Sequence, residues 1–428
     1  MTRSSSKAGR SRGQRRGVIA MCMAEVRGHE KIGQGQVGQA RTTIQKSRSE
    51  DCTEVHVAAT PTRCTGHRCS VTKQAREVYG ALEEILNDLG AGPEHVVSET
   101  IHFRDIENHL SIVQLARREF FGADGDRSVV PACSFLEQPP CDSSIDISLQ
   151  AWIVVPDQDS DTRIWTPASR DSYASINIIE NPDSRWIRVS NCIGLSSSEG
   201  QSVPFMEQAR EMFERAASSL KLSDASFQDV VRTWIYVKDI DRDYAGLNTV
   251  RDSFFKNQGV IRLPASTGIQ GGPFPTRAQC SVDLLAYQGP PTTSIRTMHA
   301  DSLNEAPDYG PRFSRGMCIS TKDRKLMLIS GTASIDSQGN VVHLGDPVKQ
   351  THRMFQNIRG LLETQGATMS DLVSLTSYLK DRSFYLDFVR ICREEGVPAT
   401  TPNTIVEAGV CRPTWLVEVE GIASLAIS

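Results

Sequence analysis

The chain has 428 residues, 39% of them hydrophobic and 23% charged, with a formal net charge of −4. That length allows two to four domains or one repeat assembly, and the slightly acidic balance gives no electrostatic reason to expect nucleic acid as a partner. No run reaches the ~18 apolar residues that a membrane-spanning helix needs, so a soluble, cytoplasmic protein with no membrane partner is expected.

In chain order, the first 17 residues hold six Lys or Arg and no acid. A seven-residue apolar stretch, Val18 to Ala24, follows, at the lower limit for the core of a secretory signal. Residues 1–50 are therefore expected to form a disordered basic segment outside the fold. The 11 cysteines are scattered and include no CxxC pair, which points to free thiols in a reducing compartment. His102, His299, His343 and His352 show no ligand spacing, so no metal and no other cofactor is expected.

From about residue 70 onward the chain repeats itself. "KQAREVYGALEEILNDLG", "EQAREMFERAASSLKLSD" and "KQTHRMFQNIRGLLETQG" align without a gap, opened by Gln74, Gln208 and Gln350 at offsets of 134 and 142 residues. Each is followed by a β pattern, "VVSETIHFRDI", "VVRTWIYVKDI" or "LVSLTSYLKDR", whose closing acids Asp105, Asp239 and Asp381 keep the same offsets. Chance does not hold register this way, so the chain is a triplication. In the second block Ala209, Met212, Phe213, Ala216, Ala217 and Leu220 recur at helical spacing, an apolar stripe that must be buried.

A second helix comes next, as in "DYAGLNTVRDSFF", and then a closing strand: "SIDISLQAWIV", "QCSVDLLAY" or "WLVEVEGIASLAI". An opening strand precedes the first helix of each unit, "CTEVHVAAT" in the first. Each unit thus reads as ββαβαβ, α+β in class, with helices on one sheet face. The other face also needs covering, and three copies supply that cover by packing around a shared axis as an intrachain pseudo-trimer. The expected units are residues 51–156, 157–290 and 291–428.

The last strand is unusual. Glu418 and Glu420 stand two apart and so share one face. They are either a solvated strand face or a pair of acids at a working cleft. The matching positions of the other closing strands are expected at Asp146 and Ser148 in the first unit and Ser281 and Asp283 in the second. Only the third unit offers two glutamates, which predicts one working cleft of three. A partly buried carboxyl there could donate a proton near neutral pH.

The unit order and the phrases "LISGTASIDSQGNVV", "QNIRGLLETQGA" and "LVEVEGIA" resemble the RidA/YjgF superfamily of endoribonuclease L-PSP-like proteins, homotrimers with ligand clefts between subunits. The second and third units more specifically resemble the chorismatases, in "RTWIYVKDI", "PASTGIQGG", "YGPRFSRG", "ISGTASI" and "CRPTWLVEVEG". A first unit beyond the two usual for chorismatases is a departure. So is the absence of the arginine that follows Pro-Ala in deaminases of this superfamily, read here as Pro131-Ala132-Cys133, Pro264-Ala265-Ser266 and Pro398-Ala399-Thr400.

The resemblance implies a hydrolase or lyase that cleaves an enol ether of a small carboxylated metabolite, releasing pyruvate, with Glu418 or Glu420 as general acid. It matches Cys411 to a cysteine near the acid, although a buried thiol is more often a small hydrophobe. The carboxylate would be held by Arg412, by Tyr309, Arg312 and Arg315 of the linker, and by Arg232. Ser330, Gly331 and Thr332 would contact ligand or form a β-bulge. Arg232, Trp234 and Tyr236 alternate on one strand face, fit for a flat anionic ligand or for packing between units. The rival activities are enamine or imine deamination and non-catalytic binding of a small anionic metabolite. Self-association beyond a monomeric pseudo-trimer stays open.

Overall fold

The computed structural model describes residues 35–37, 40–49, 51–63, 69–122, 129–168, 171, 173–195 and 203–427. Unit one contains β1 (Gly35–Val37), β2 (Ala40–Arg48), β3 (Cys52–Pro61), α1 (Val71–Asp88), β4 (Val96–Phe103), α2 (Ile106–Phe121), β5 (Ala132–Glu137) and β6 (Ile147–Pro156). Unit two follows with β7 (Arg163–Trp165), β8 (Ser175–Glu180), β9 (Arg185–Ile193), α3 (Phe205–Lys221), β10 (Val230–Val237), α4 (Ile240–Asn257), β11 (Ala265–Gln270), β12 (Gly272–Pro273) and β13 (Cys280–Gln288). Unit three comprises β14 (Ser294–Thr297), β15 (Gly316–Ser320), β16 (Arg324–Thr332), α5 (Pro347–Glu363), β17 (Leu372–Leu379), α6 (Tyr385–Glu394), β18 (Asn403–Glu407) and β19 (Val417–Ala426).

The three sheets share one order. In each, a hairpin lies beside the closing strand, then the strand after the first helix, then a short parallel edge strand: β2-β3-β6-β4-β5, β8-β9-β13-β10-β11 and β15-β16-β19-β17-β18. The α+β triplication is thus present. Each unit also has strands beyond the four that the sequence pattern predicts: the parallel edge strand β5, β11 or β18, a short outer strand β1, β7 or β14, and in unit two also β12.

A second correction concerns the N-terminal segment: residues 40–48 are not outside the fold but form β2, paired antiparallel with β3 along its whole length. Its sequence "ARTTIQKSR" is mostly polar, yet Ala40, Thr42, Ile44, Gln45 and Ser47 are buried. Cys69 is a third correction. It is disulfide-bonded rather than free, with its partner outside the described residues, while eight other cysteines are free thiols.

The residues that mark the repeat have physical roles. Asp105 and Asp239 cap α2 and α4, and Asp381 caps the short turn before α6, each accepting a backbone N–H with its carboxylate. The glutamines tie each first helix to its closing strand. Gln74, Gln208 and Gln350 accept from the backbone N–H of Asp146, Gln279 and Leu416 at 2.8, 3.0 and 2.9 Å.

These bonds fix which residues of the closing strands correspond. Counting onward, Ser148, Ser281 and Glu418 are equivalent, and so are Gln150, Asp283 and Glu420. Strand pairing agrees, since His102, Tyr236 and Tyr378 lie opposite Ser148, Ser281 and Glu418. The first unit's matching pair is therefore Ser148 and Gln150, not Asp146 and Ser148.

Helices bury their stripes against their own sheets, giving three separate cores. A fourth core gathers Val97 and Val154 of unit one, Val231 and Leu285 of unit two, and Met317 and Leu328 of unit three. Each such side chain, fully buried, contributes roughly 1.5–3 kcal/mol. The sheets therefore meet by their helix-free faces around one axis, and every residue of β4 and β17 is buried.

Edge strands close the ring. β5 pairs with β12 of unit two, Ile269 of β11 bridges to Val410 of unit three, and Val406 of β18 bridges back to Pro140 of unit one. No helix among the described residues is long and apolar enough to cross a membrane.

Replacing Gln350 by Leu strands a buried N–H and the His343 and Thr414 carbonyls to which its amide donates. We expect a loss of about 2 kcal/mol, read as a lower denaturant midpoint. An unchanged midpoint would contradict the role given to these glutamines.

Candidate functional site

The sites of interest follow from the seam between units two and three. β16 carries a bulge at Ser330-Gly331, where its pairing with β19 shifts register. β9 is irregular at the same place, Ser190-Asn191, and β3 runs without an irregularity. The bulge turns the Gly331 N–H across the seam to Thr267 Oγ1 of β11, at 2.9 Å. A Cβ on Gly331 would collide with Glu418 Oε1, so glycine is needed there for the carboxyl to sit where it does. Of the two readings of these residues, the structure has the β-bulge.

Glu418 is 3% exposed, and its Oε2 has no hydrogen-bond partner among the described residues. Burial, and then the charge of Glu420, push its carboxyl from 4.5 up to about 8, against the pull of Arg315 and Arg232. Near neutral pH the acid is held largely protonated, and a buried neutral carboxyl is a proton donor.

Glu420 behaves differently. Its Oε2 receives Arg232 Nη2 at 2.6 Å and its Oε1 receives the Tyr378 hydroxyl at 3.1 Å, all three groups being buried. It is a fixed counter-ion, not a second acid of the same kind.

The open cleft above this seam has a volume of about 540 Å³ and is lined by Tyr244, Asn248, Asp252, Pro311, Cys411 and Arg412. Glu418 is not among its lining residues. Cys411 connects the two, since it lines the cleft and its thiol feels the Glu418 charge. Burial and that charge raise the thiol far above its ordinary range, so it is a neutral thiol and not a nucleophile. Arg412 donates to the Gly339 carbonyl at 2.8 Å and lies over the Trp415 ring at 4.8 Å. Arg312 stands 3.5 Å from Asp252 beside the cleft.

Several expected contacts fall elsewhere. Arg315 is buried and turned inward, donating to the Asn304 carbonyl and side chain at 2.7 and 2.9 Å. Ser330 joins the units, giving its proton to the Ser314 carbonyl and accepting from Ser266 N–H. Thr332 is buried and bonds the Ser330 carbonyl. The Tyr309 side chain lies outside the described residues. Arg232, Trp234 and Tyr236 line the pseudo-threefold axis and not the cleft.

The Pro-Ala reading also needs a correction in unit three. Parallel pairing sets Ala132, Ala265 and Pro402 at one position, followed by Cys133, Ser266 and Asn403. Asn403, not Thr400, is the third equivalent, and none of the three is arginine. Among the described residues no group of three or more His, Cys, Asp or Glu is placed to hold a metal ion.

Sequence reasoning missed Tyr244, Asn248 and Thr267. It also passed over Arg251, which is 2% exposed and lies over Phe313 at 5.6 Å. The signal for Arg251 was present: it interrupts the apolar stripe of α4 formed by Leu247, Val250 and Phe254.

Comparison with known proteins bears on this geometry. The family model described as Endoribonuclease L-PSP matches twice, over residues 166–288 and 304–425. A 2-iminobutanoate/2-iminopropanoate deaminase of Rattus norvegicus is 29% identical over 130 residues, 30% of this chain and 88% of that protein. A chorismatase crystal structure superposes with a TM-score of 0.58 at 17% identity, over 88% of this chain and 100% of its own. That coverage exceeds units two and three together, so the first unit is no departure from that fold. At such identity the likeness concerns fold alone.

A carboxyl that holds its proton more tightly folded than unfolded weakens the fold as pH rises between 4.5 and about 8. Stability measured by urea midpoint should therefore fall across that window, and Glu418→Gln should flatten the slope by up to about 1.4 kcal/mol per pH unit. Equal slopes in both proteins would contradict the assignment.

Proposed function

From the chain's membership of the endoribonuclease L-PSP family, we propose that it cleaves an enol ether of a small carboxylated metabolite at the seam of units two and three. The observation that carries this reading is the buried Glu418, its carboxyl pushed up to about 8, close to Cys411 of a cleft that Arg412 also lines. Arg412, with Arg312 beside it, is suited to hold the carboxylate through charge-assisted hydrogen bonds.

The step balances as follows. Glu418 gives its proton to the terminal methylene carbon of the enol ether, leaving an oxocarbenium ion and a carboxylate. Water adds to the cationic carbon and returns a proton to Glu418. The hemiketal then breaks its bond to the alcohol oxygen, the hydroxyl proton passing to that oxygen as the C=O forms, and pyruvate and the alcohol are released. Glu420 and Arg232 act as positioning residues, since the Glu420 charge helps keep Glu418 protonated. Cys411 would shape the passage between cleft and acid.

Chorismate, an enol ether with two carboxylates, is the direct probe. We expect pyruvate release whose rate falls as pH rises through about 8, and a loss of at least ~100-fold in Glu418→Gln. No pyruvate from the wild type, or an unchanged rate in the Glu418→Gln/Glu420→Gln double variant, would overturn the proposal. The rat relative favours a second reading, imine or enamine hydrolysis, although Cys133, Ser266 and Asn403 stand where the deaminase arginine is expected. Ammonia released from 2-aminoacrylate without pyruvate from chorismate would select it. Saturable binding of either compound without turnover would select a metabolite-binding protein.

A further inference from the structure

The seam between units three and one carries a second open cleft, also about 540 Å³ in volume, the size of a small-molecule site. Strands β2, β3 and β6 of unit one line one wall, and α6 and β18 of unit three the other. Counted from the glutamine ties, its Asp142 and Ser148 hold the places of Arg412 and Glu418. This cleft therefore has no carboxyl at the position of the proposed proton donor.

The one carboxylate in its lining is fully engaged. Asp142 Oδ2 accepts from Arg41 at 3.2 Å and from Arg63 at 2.7 Å, and its Oδ1 accepts from the backbone and hydroxyl of Ser144 at 3.0 and 2.6 Å. With two guanidinium groups on it, Asp142 leaves no net negative charge in the cleft.

The wall from unit three has a defined order. β17 and β18 pair in parallel, so α6, which joins them, runs back against both. Arg393 in the last turn of α6 is thereby set beside Asn403 at the start of β18, and Tyr385 at the start of α6 beside the strand's other end. Tyr385, Val389 and Arg393 follow one helix face, and Asn403 and Ile405 share one strand face. All five line the cleft.

Two donors at the Arg393 end are open to water and unused. Arg393 is exposed, and its side chain has no partner among the described residues. Asn403 is half-buried, and its Oδ1 accepts from the Ser377 hydroxyl at 2.8 Å, which leaves its amide N–H groups to the cleft. A guanidinium and an amide are planar donors suited to a carboxylate. Val389 and Ile405 then offer apolar surface. Between Arg393 and Tyr385 the helix rises ~12 Å, room for a carboxylate and one ring.

We infer that the cleft between units three and one binds a small organic carboxylate without converting it, the carboxylate on Arg393 and Asn403 and the carbon body along Val389 and Ile405 toward Tyr385. The site is independent of turnover at the seam of units two and three.

The test titrates the full chain by calorimetry with sodium benzoate, and with benzyl alcohol, which has the same ring and no charge. We expect saturable binding of benzoate that benzyl alcohol does not show. Arg393→Gln should weaken it about tenfold. Asn403→Asp keeps the acceptor for Ser377 but sets a negative charge where the donors were, and should abolish it. Arg412→Gln, at the other seam, should leave this binding in place. Arg393 is exposed, so its replacement decides the matter even where Asn403→Asp does not fold. No saturable benzoate binding by the wild type, an unchanged affinity in Arg393→Gln, or loss of the binding in Arg412→Gln would overturn the inference.

Discussion

The buried pair Arg232–Glu420 is the constraint on which the candidate site depends. It joins β10 of unit two to β19 of unit three at 2.6 Å, with both side chains at most 5% exposed. Removing either partner would leave a charge with no water and no counter-ion, a loss of several kcal/mol. Arg232 bonds Glu420 and not Glu418, and its pull on Glu418, like that of Arg315, is outweighed by burial and by the Glu420 charge. Glu418 is left beside a fixed negative charge, with one oxygen against Gly331 and the other without a hydrogen-bond partner. Keeping its proton is the cheapest solution available to it. The ion pair that fastens two units thus also sets up the acid.

The same logic explains why three similar seams need not do similar work. Where unit three has Glu418 and Glu420, unit two has Ser281 and Asp283, and unit one has Ser148 and Gln150. Asp283 is fully engaged by Arg188, Ser134 and a backbone N–H, and Gln150 bonds Ser374 of unit three. Those positions hold the ring together without leaving a carboxyl unpaired. Duplication supplied three frames of one shape. Only the third frame has two carboxyls at these strand positions, and only there is a carboxyl oxygen of the pair left without a hydrogen-bond partner among the described residues.

Much of the architecture was legible because the repeat is marked by residues with fixed mechanical duties. Gln350 and Asp381 stand where helix-to-strand ties and helix caps require them, so their spacing reports the fold directly. The edge strands β5, β11 and β18 were not legible, being only five or six residues long and following a proline that reads as a turn. β2 was hidden because its polar sequence follows a basic leader. The slip to Asp146 in unit one has a cleaner cause. A shift of two residues keeps every side chain on its own face, so periodicity cannot detect it; the glutamine ties can. At the site, the shared face of Glu418 and Glu420 was readable, but their division into acid and counter-ion was not. That division depends on Arg232 arriving from a strand 188 residues away.

The protonation state of Glu418 carries the functional account, and it can be observed without any substrate. Infrared difference spectra of the wild type against Glu418→Gln, recorded across a pH titration, isolate the C=O stretch of this single protonated carboxyl. A band that persists through neutral pH and vanishes with a midpoint near 8 is the predicted result. A midpoint near the ordinary glutamate value of about 4.3 would contradict it. The buried carboxyl would then be an anion at working pH, with no proton to give.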